Sequence, residues 1–358
     1  MSDVKEVDYI IVGQGIAGSA VALQLMAKEK KIVVIDQPRQ NISSRIAAGL
    51  FNPITGKRMA KTWMAEVIFP YLHNFYRQIE RKTKQSFFYP LPLYRPFLSI
   101  EEQNEWMARS VDPTFADYVE NISSQRSHQN IRDEYGGLTL KYCGYLHTTQ
   151  YLQAVRKLIQ ETNIFLEEDF NEDEVRFSTA FVEYKSFKAA KLILCQGEQA
   201  RKSKWFNWAP VLPLKGETIK IQTGYLSQQI INRGVYIVPS ESNELRVGAT
   251  YNFQDAEPKI TAEGRRELEQ KLNELVDFPY QVIDHEWGLR PVTPDRRPLM
   301  GTHPDIKSIV IFNGMGTKGV SLAPYFSEIL VRWMEGDADL NKEINVNRYK
   351  SLYSKLIK

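Results

Sequence analysis

The sequence predicts an α/β protein, α+β overall, in which a Rossmann-type nucleotide-binding domain is joined to an antiparallel-sheet substrate domain. The chain opens with a short apolar strand, a glycine-rich turn, a helix and a second apolar strand, within the length of one βαβ unit. Three later segments, KGETIKIQT, GVYIVPS and ELRVGATYN, alternate in character and are bounded by turn residues. The length of 358 residues is more than one hydrophobic core usually organises.

The glycine turn indicates what the first domain binds. Gly13, Gly15 and Gly18 form the pattern GxGxxG between a strand and a helix. These glycines allow a tight turn, a close approach of the backbone to a pyrophosphate, and close packing of helix on strand. Asp36 ends the next strand, where a carboxylate accepts hydrogen bonds from ribose hydroxyls. Together they predict a dinucleotide site.

Apolar residues at helical spacing predict helices over 19–29, 65–84, 148–162, 261–276 and 320–335. The third is expected to be capped by Thr148 or Thr149. A strand is predicted over 308–312. The stretch SSRIAAGLFNPITGK, from residue 43, is too apolar for an exposed linker and is predicted to be a buried loop.

Composition excludes several functional classes. Hydrophobic residues make up 43% and charged residues 25% of the chain, as in ordinary globular enzymes. A net charge of +3 does not by itself predict nucleic-acid binding. Two cysteines in apolar runs and five scattered histidines predict neither a disulfide framework nor a metal site. The absence of a signal-peptide pattern and of a long apolar run predicts a cytoplasmic protein without membrane spans.

Several motifs resemble the D-amino-acid oxidase and glycine oxidase family of FAD-dependent enzymes. They are SSRIAAGLFNP, CGYLHTTQYLQAV, ILCQGEQAR, LPLKGETIKI, VYIVP, LRVGATY, GLRPVTPDRRPLMG and NGMGTKGVSLAP, in the family's order. The resemblance extends from residue 8 to about residue 340. The tail is also similar to the FAD-dependent oxidase module of the bacterial enzyme that modifies the wobble uridine of tRNA.

The resemblance implies a particular set of FAD-binding residues. Besides the glycine turn and Asp36, the positions that match the family's cofactor motifs are Ser43, Ser44, Ala47, Ala48, Gly49, Gly197, Gly314, Gly316, Lys318 and Gly319. A helix that begins at the last of these would point its positive end at the flavin. In the sarcosine-oxidase branch a cysteine holds the flavin covalently, and Gly288 stands at that position here, which implies non-covalent FAD.

The resemblance also implies two substrate-binding residues. Arg290, in GLRP, matches the arginine that pairs with a substrate carboxylate, and Tyr236, in VYIVP, matches a tyrosine that faces the substrate. Relatives carry a further polar residue in the tail loop, where this chain has Met315, Thr317 and Lys318, and the sequence does not indicate which of these reaches the pocket. The implied reaction is hydride transfer from a small amine or amino acid to FAD, with oxygen or another molecule as the electron acceptor.

Three alternatives remain open at this point. One is oxidation of a carboxymethylaminomethyl group on tRNA, which needs a positive surface around the pocket. Basic segments at 57–61, 77–84 and 201–204 are candidates, although such runs are more often solvated surface, so nucleic acid is the less favoured partner. The others are a flavin-binding subunit without its own catalysis and, least favoured, a nicotinamide dehydrogenase. The oligomeric state is not predicted.

The motif positions predict a discontinuous FAD-binding domain. It is expected to comprise residues 1–60, 143–205 and 286–340, because cofactor motifs lie at both ends of the chain and in its middle. Residues 61–142 and 206–285 are expected to form the substrate-binding domain over the flavin, and residues 341–358 a C-terminal tail.

Overall fold

The computed structural model describes residues 4–37, 43–56, 59–240 and 243–356. The strands are β1 (Lys5–Glu6), β2 (Tyr9–Val12), β3 (Ile32–Ile35), β4 (Leu50–Phe51), β5 (Ile54–Thr55), β6 (Ala60–Lys61), β7 (Phe88–Pro90), β8 (Leu93–Pro96), β9 (Val119–Ser123), β10 (Gly137–Leu140), β11 (Gly144–Leu146), β12 (Ile164–Leu166), β13 (Val175–Phe177), β14 (Val182–Tyr184), β15 (Phe187–Ala189), β16 (Lys191–Leu194), β17 (Leu212–Gln222), β18 (Ile230–Arg233), β19 (Val235–Pro239), β20 (Glu244–Gly248), β21 (Gln281–Val292), β22 (Leu299–Thr302) and β23 (Ile309–Asn313). The α-helices are α1 (Ile16–Ala27), α2 (Ser43–Ile46), α3 (Ala65–Thr83), α4 (Ile100–Arg109), α5 (Thr148–Thr162), α6 (Ala262–Asn273), α7 (Gly319–Met334) and α8 (Lys350–Leu356).

A mainly parallel sheet carries the glycine turn. Its strand order is β12-β3-β2-β16-β23-β22, and only the last pair is antiparallel. The central strands are short apolar runs that are buried throughout, as expected for a sheet covered on both faces. Helix α1 lies between β2 and β3, so the predicted βαβ unit is confirmed.

The four helices predicted after it begin and end within a few residues of the observed α3, α5, α6 and α7. The predicted cap of α5 is wrong. The N-cap is His147, whose Nδ1 accepts from the backbone N–H of Gln150 at 3.4 Å. Both threonines lie inside the helix, which leaves their hydroxyls free to donate to carbonyl groups of the segment 43–49.

The prediction of a loop after β3 also needs correction. Residues 43–46 form the short helix α2, and the chain continues into β4 and the hairpin β5–β6. A four-residue helix shows too little of the 3.6-residue period to be recognised from apolar spacing. All of the described residues 43–56 except Gly56 are buried or half-buried, so the segment is less fully buried than the sequence predicts.

A second, larger sheet is formed mostly by antiparallel pairs. Its strand order is β21-β17-β20-β19-β18-β8-β10-β9, so the three alternating segments of the sequence lie side by side as β17, β19 and β20. One face is covered by α6, whose N-cap Thr261 donates to Glu217 Oε1 at 2.8 Å. Lys215, also buried on that face, lies 3.7 Å from Glu217 and 2.5 Å from Asp255. The other face is turned toward α2.

Helix α3 joins the cofactor side of the molecule. Tyr76 is fully buried, and its hydroxyl donates to the carbonyl of Val320 in α7 at 2.8 Å. The apolar face of α3 shares one core with β2, α1 and α7. We propose a discontinuous cofactor-binding domain from this organisation, with α3 packed on it, although the sequence pattern groups residues 61–142 with the substrate domain.

Within the described ranges, no helix combines the length and apolar character needed to cross a membrane.

The contact between α3 and α7 gives a stability prediction. Tyr76→Phe leaves the buried carbonyl of Val320 without its donor, so the free energy of unfolding should fall by about 1–3 kcal/mol. Tyr280→Phe is the matched control, because its hydroxyl bonds Asn273 at the exposed surface. Chemical denaturation of the two variants measures the difference, and equal stabilities would show that the buried bond contributes nothing.

Candidate cofactor and substrate site

The glycine turn is closed so tightly that no side chain fits in it. A Cβ on Gly18 would lie 1.8 Å from the carbonyl oxygen of Gly13, and one on Gly13 would lie 2.5 Å from that of Cys195. Gly13 also has a φ of 93°, in the left-handed region. The turn therefore presents bare backbone at the start of α1, as close approach of a pyrophosphate requires.

Asp36 stands at the end of β3 beside this turn. One carboxylate oxygen accepts from the backbone N–H of Gln14 at 3.0 Å and the other from Nη2 of Arg156 at 3.2 Å. Arg156 also donates to the side chain of Gln14 at 3.1 Å and stacks on Phe165 at 4.5 Å. Sequence analysis did not identify Arg156, although it lies on the predicted helix after CGYLHTTQYL. We propose that Asp36 holds the adenosine ribose and that Arg156 orients its carboxylate.

The segment Ser43–Gly49 runs from the glycine turn to the larger sheet. Ser44 Oγ accepts from the first N–H of α1, on Ile16, at 3.2 Å. Thr148 Oγ1 of α5 donates to the carbonyl of Ala47 at 3.3 Å. A Cβ on Gly49 would lie 1.9 Å from the carbonyl oxygen of Leu146, so this position too admits only glycine. Ala48 lies between these contacts and is partly buried, and we propose that FAD lies along this segment.

The parallel pairing of β16 and β23 brings two more predicted cofactor segments together. Asn313 donates to the carbonyl of Gly197 at 2.7 Å and accepts from the N–H of Gly314 at 2.8 Å. Next to this junction, Oε1 of Gln196 is buried without a hydrogen-bond partner among the described residues. A buried polar atom without a partner is costly and indicates a site completed by a ligand.

The tail loop leads from β23 into α7 through a turn at Gly316–Lys318. Gly316 packs on β21, where a Cβ would lie 3.0 Å from Val292. Lys318 donates to Thr55 Oγ1 at 2.9 Å and to Thr62 Oγ1 at 3.0 Å. Burial, together with the neighbouring Arg296 and Arg297, lowers the pKa of Lys318 to about 8. Helix α7 begins at Gly319, directly after this cation.

Arg290 and Tyr236 lie on one face of the larger sheet. Residues directly opposite each other in neighbouring strands point to the same face, and so do residues two apart in one strand. Tyr236 is opposite Gly248, which is opposite Thr218, which is opposite Glu286. Arg290 stands four residues after Glu286 in β21 and therefore shares this face. The structure thus brings together two residues that are far apart in the chain.

The guanidinium group of Arg290 lies flat over Gly216 of β17. A Cβ on Gly216 would lie 2.2 Å from both terminal nitrogens. Nη1 donates to the carbonyl of Thr250 at 3.3 Å, and the exposed ring of Tyr251 lies 5.0 Å from the guanidinium carbon. No carboxylate of the described residues lies within ion-pair distance of this group. Most of its donors therefore remain available to an anion.

Tyr236 is similarly placed over a glycine. A Cβ on Gly248 would lie 2.6 Å from its hydroxyl oxygen. Burial raises the pKa of Tyr236 to about 12, against the opposing effect of Arg290, so the phenol stays protonated at neutral pH. In the described part of the chain its hydroxyl has no hydrogen-bond partner, and the buried hydroxyl of neighbouring Thr218 has none either.

The cofactor side and the substrate face meet at α2. A Cβ on Gly288 of β21 would lie 3.4 Å from Cα of Ser43. Arg246 of β20 donates to the carbonyl of Ile46 at 2.5 Å and to Glu286 at 2.7 Å. Sequence analysis missed Arg246, Gly216, Thr218, Gly248, Thr250 and Tyr251. The motifs LPLKGETIKI and LRVGATY contain all six, but they do not indicate which of their residues face the pocket.

The basic segments proposed for tRNA contact are neutralised in part, because four of their eight described cations are paired with acids. Residues 57 and 58 lie outside the described residues. The described pairs are Lys61 with Glu66, Arg77 with Glu80, Arg201 with Glu198, and Lys204 with Asp173. No group of acidic, histidine and cysteine side chains that could hold a metal ion occurs among the residues that the structure describes.

The match to known proteins agrees with this geometry. The model of the FAD-dependent oxidoreductase family DAO matches residues 8–333, and the chain belongs to this family. The predicted family and fold class are confirmed, and FAD is the cofactor. The bare glycine turn and the unpartnered Gln196 fit a dinucleotide in this position.

Two curated relatives align with most of the chain. The bifunctional protein ThiO/ThiG of Synechocystis sp. is 23% identical over 90% of the chain and 51% of its own length. The tRNA 5-methylaminomethyl-2-thiouridine biosynthesis bifunctional protein MnmC of Marinobacter nauticus is 23% identical over 90% of the chain and 54% of its own length. The chain thus spans about half the length of these relatives.

Solved structures with the same fold include enzymes of different chemistry. Iminodiacetate oxidase from Chelativorans sp. superposes with a TM-score of 0.77 at 18% identity, over 95% of this chain and 98% of the other. Glycine oxidase from Geobacillus kaustophilus gives 0.78 at 19%, over 93% and 96%. L-α-glycerophosphate oxidase from Mycoplasma pneumoniae gives 0.74 at 16%, over 95% and 99%. The structural similarity establishes the fold. It does not identify the substrate, which has to be inferred from the residues of the site.

The geometry around Asp36 gives a cofactor prediction. Asp36→Ala removes the proposed ribose acceptor and leaves Arg156 with Glu167, 3.5 Å away, as its remaining acidic partner, so dialysed protein should retain markedly less FAD. Asp173→Ala is the matched control, because its carboxylate pairs with Lys204 at the surface. Absorbance at the flavin bands, normalised to protein, reports retention, and circular dichroism reports the fold. Full retention by Asp36→Ala would exclude the proposed role.

Proposed function

We propose that this protein oxidises the carbon–nitrogen bond of a small amine that carries a carboxylate, with FAD held non-covalently. The observation that carries the proposal is the set of unused donors on one sheet face, formed by Arg290, Tyr236 and Thr218. Arginine binds carboxylates through two parallel hydrogen bonds, and the half-buried guanidinium of Arg290 has no anionic partner among the described residues. A substrate carboxylate supplies that partner.

The side chains on this face bind and orient the substrate. Arg290 takes the carboxylate, and the protonated hydroxyls of Tyr236 and Thr218 donate to the same group or to the neighbouring amine. FAD, when bound, supplies the oxidising chemistry by accepting a hydride from the carbon next to nitrogen. The amine must have lost its proton first, and the resulting imine is hydrolysed by water to a carbonyl compound and an amine. The electrons pass on to oxygen or another acceptor.

No general base is assigned on this face. The raised pKa of Tyr236 makes its hydroxyl a donor at neutral pH and a poor proton acceptor. The protein therefore contributes orientation and exclusion of water more than proton transfer. The names of the structurally similar glycine and iminodiacetate oxidases support an amine substrate. The glycerophosphate oxidase among the similar structures shows that fold alone does not select the bond.

A second candidate function is oxidation of a carboxymethylaminomethyl group on tRNA. Two observations favour it: the alignment of MnmC over most of the chain, and the cations Lys318, Arg296 and Arg297, which have no carboxylate partner within ion-pair distance among the described residues. Against it, four of the eight described cations of the three basic segments named above are paired with acids. The substrates of both candidate functions carry a carboxylate, so Arg290 would bind either of them.

The role of Arg290 can be tested by flavin bleaching. Under anaerobic conditions, Arg290→Ala should lose about 2–5 kcal/mol of transition-state binding with carboxylate-bearing amines, because the desolvated carboxylate loses its charge-assisted bonds. FAD content should stay unchanged. Arg265→Ala is the matched control, since Arg265 is exposed on α6 and pairs with Glu269. Unchanged bleaching, or a preference of the wild type for amines without an acid group, would make Arg290 a structural residue.

The two candidate functions separate in one further assay. Wild-type protein is mixed anaerobically with free amino acids or with tRNA that carries the unprocessed carboxymethylaminomethyl group, and bleaching rates are compared. We expect amino acids to bleach the flavin efficiently. Bleaching by the tRNA alone would establish the second function.

A further inference from the structure

We propose that Gly216 is a specificity-determining residue, because its bare α-carbon sets how far the guanidinium of Arg290 stands from the cofactor. The inference rests on the proposed function of Arg290 as the carboxylate-binding residue. It concerns a residue that acts on the substrate through its neighbour Arg290.

A side chain at position 216 would meet one neighbouring residue before any other. The three atoms nearest to a Cβ built on Gly216 all belong to the guanidinium of Arg290, at 2.2, 2.2 and 2.3 Å. Backbone conformation does not demand glycine here, since the φ of Gly216 lies outside the left-handed region. What this position requires is empty space directly above the strand. The guanidinium fills that space.

The face of β17 on which this contact lies connects Gly216 with the space available for the substrate. Its neighbours Lys215 and Glu217 point to the opposite face, toward Asp255 and α6. The face of Gly216 looks toward α2 and the FAD-binding segment. A methyl group here would push the guanidinium away from the sheet by at least about 1.2 Å to reach ordinary contact at 3.4 Å. The carboxylate-binding group would then stand closer to the flavin, with less room for the substrate between them.

A displacement of this size matters for catalysis but not for folding. The guanidinium is the far end of a flexible side chain, so it can move without disturbing the backbone. A misplacement of about 1 Å in substrate position can cost roughly 100-fold in rate. Gly216→Ala should therefore preserve the fold and FAD while weakening carboxylate recognition.

The test uses the holoenzyme with acetate as the probe, because acetate binding to the oxidised protein needs no turnover. Acetate is titrated against wild type, Gly216→Ala, Arg290→Ala and the double variant, and the flavin absorbance change gives the Kd. Gly224→Ala is the matched control, since a Cβ there meets nothing within 4 Å. Anaerobic bleaching by amino acids and by amines without an acid group is measured on the same proteins.

We expect Gly216→Ala and Arg290→Ala to weaken acetate binding at least tenfold each, with no further loss in the double variant. Bleaching by amino acids should slow roughly 100-fold in Gly216→Ala, while bleaching by amines without an acid group stays unchanged. If Gly216→Ala lowers FAD content, the double variant should restore it, because the displaced guanidinium is gone.

Two results would overturn the inference, and they are distinguishable. Normal acetate binding by Gly216→Ala together with weak binding by Arg290→Ala would remove the role of Gly216 and leave the proposed function standing. Normal binding by both variants would remove the carboxylate site itself. Additive losses in the double variant would also contradict an action through Arg290.

Discussion

The segment Ser43–Gly49 is the constraint on which the site depends, because it is held from both sides of the molecule. On the cofactor side it receives hydrogen bonds from α1 and α5, and Gly49 closes against Leu146 without space for a side chain. On the substrate side, Arg246 binds the carbonyl at the end of α2. A cation at that carbonyl also complements the negative end of the short helix. These seven residues thus connect the proposed FAD-binding surface to the proposed substrate-binding face.

Next to this segment, the proposed substrate face is polar, and several of its hydrogen-bond donors have no partner among the described residues. Arg290, Tyr236 and Thr218 are placed with donors to spare, whereas the opposite face of the same sheet satisfies its charges internally through Lys215 and Glu217. Polar groups buried without partners cost free energy that a protein ordinarily avoids. The buried hydroxyl of Thr218 is such a group, and the half-buried Arg290 on the same face has no carboxylate within ion-pair distance among the described residues, which supports the proposed binding site for an anion.

The sequence was sufficient for the parts that depend on local pattern. A glycine turn between a strand and a helix, followed by an acid, identifies the dinucleotide site because the chemistry and the spacing are local. Arg290 and Tyr236 were found through motifs of the family, and the structure places them on one face. The position of the Arg290 guanidinium could not be predicted, because it depends on the register between β17 and β21, which lie far apart in the chain. The helix α2 was too short for a periodic pattern, and the cap of α5 was misjudged because His147 competes with the threonines that follow it.

The buried charges behind β17 have a consequence for strand register. Side chains alternate between the two faces of a strand, so sliding β17 by a single residue would exchange its faces. A slide in one direction would place Glu217 beneath Arg290 and neutralise it, and a slide in the other direction would place Lys215 there and repel it; in both cases Gly216 would face α6. Lys215 and Glu217 prevent this exchange, because each finds its partners only on the far side: Asp255 for one, Thr261 and His285 for the other. The ion pairs at the back of the sheet therefore fix the register of β17, and this register keeps the proposed anion site at the front open.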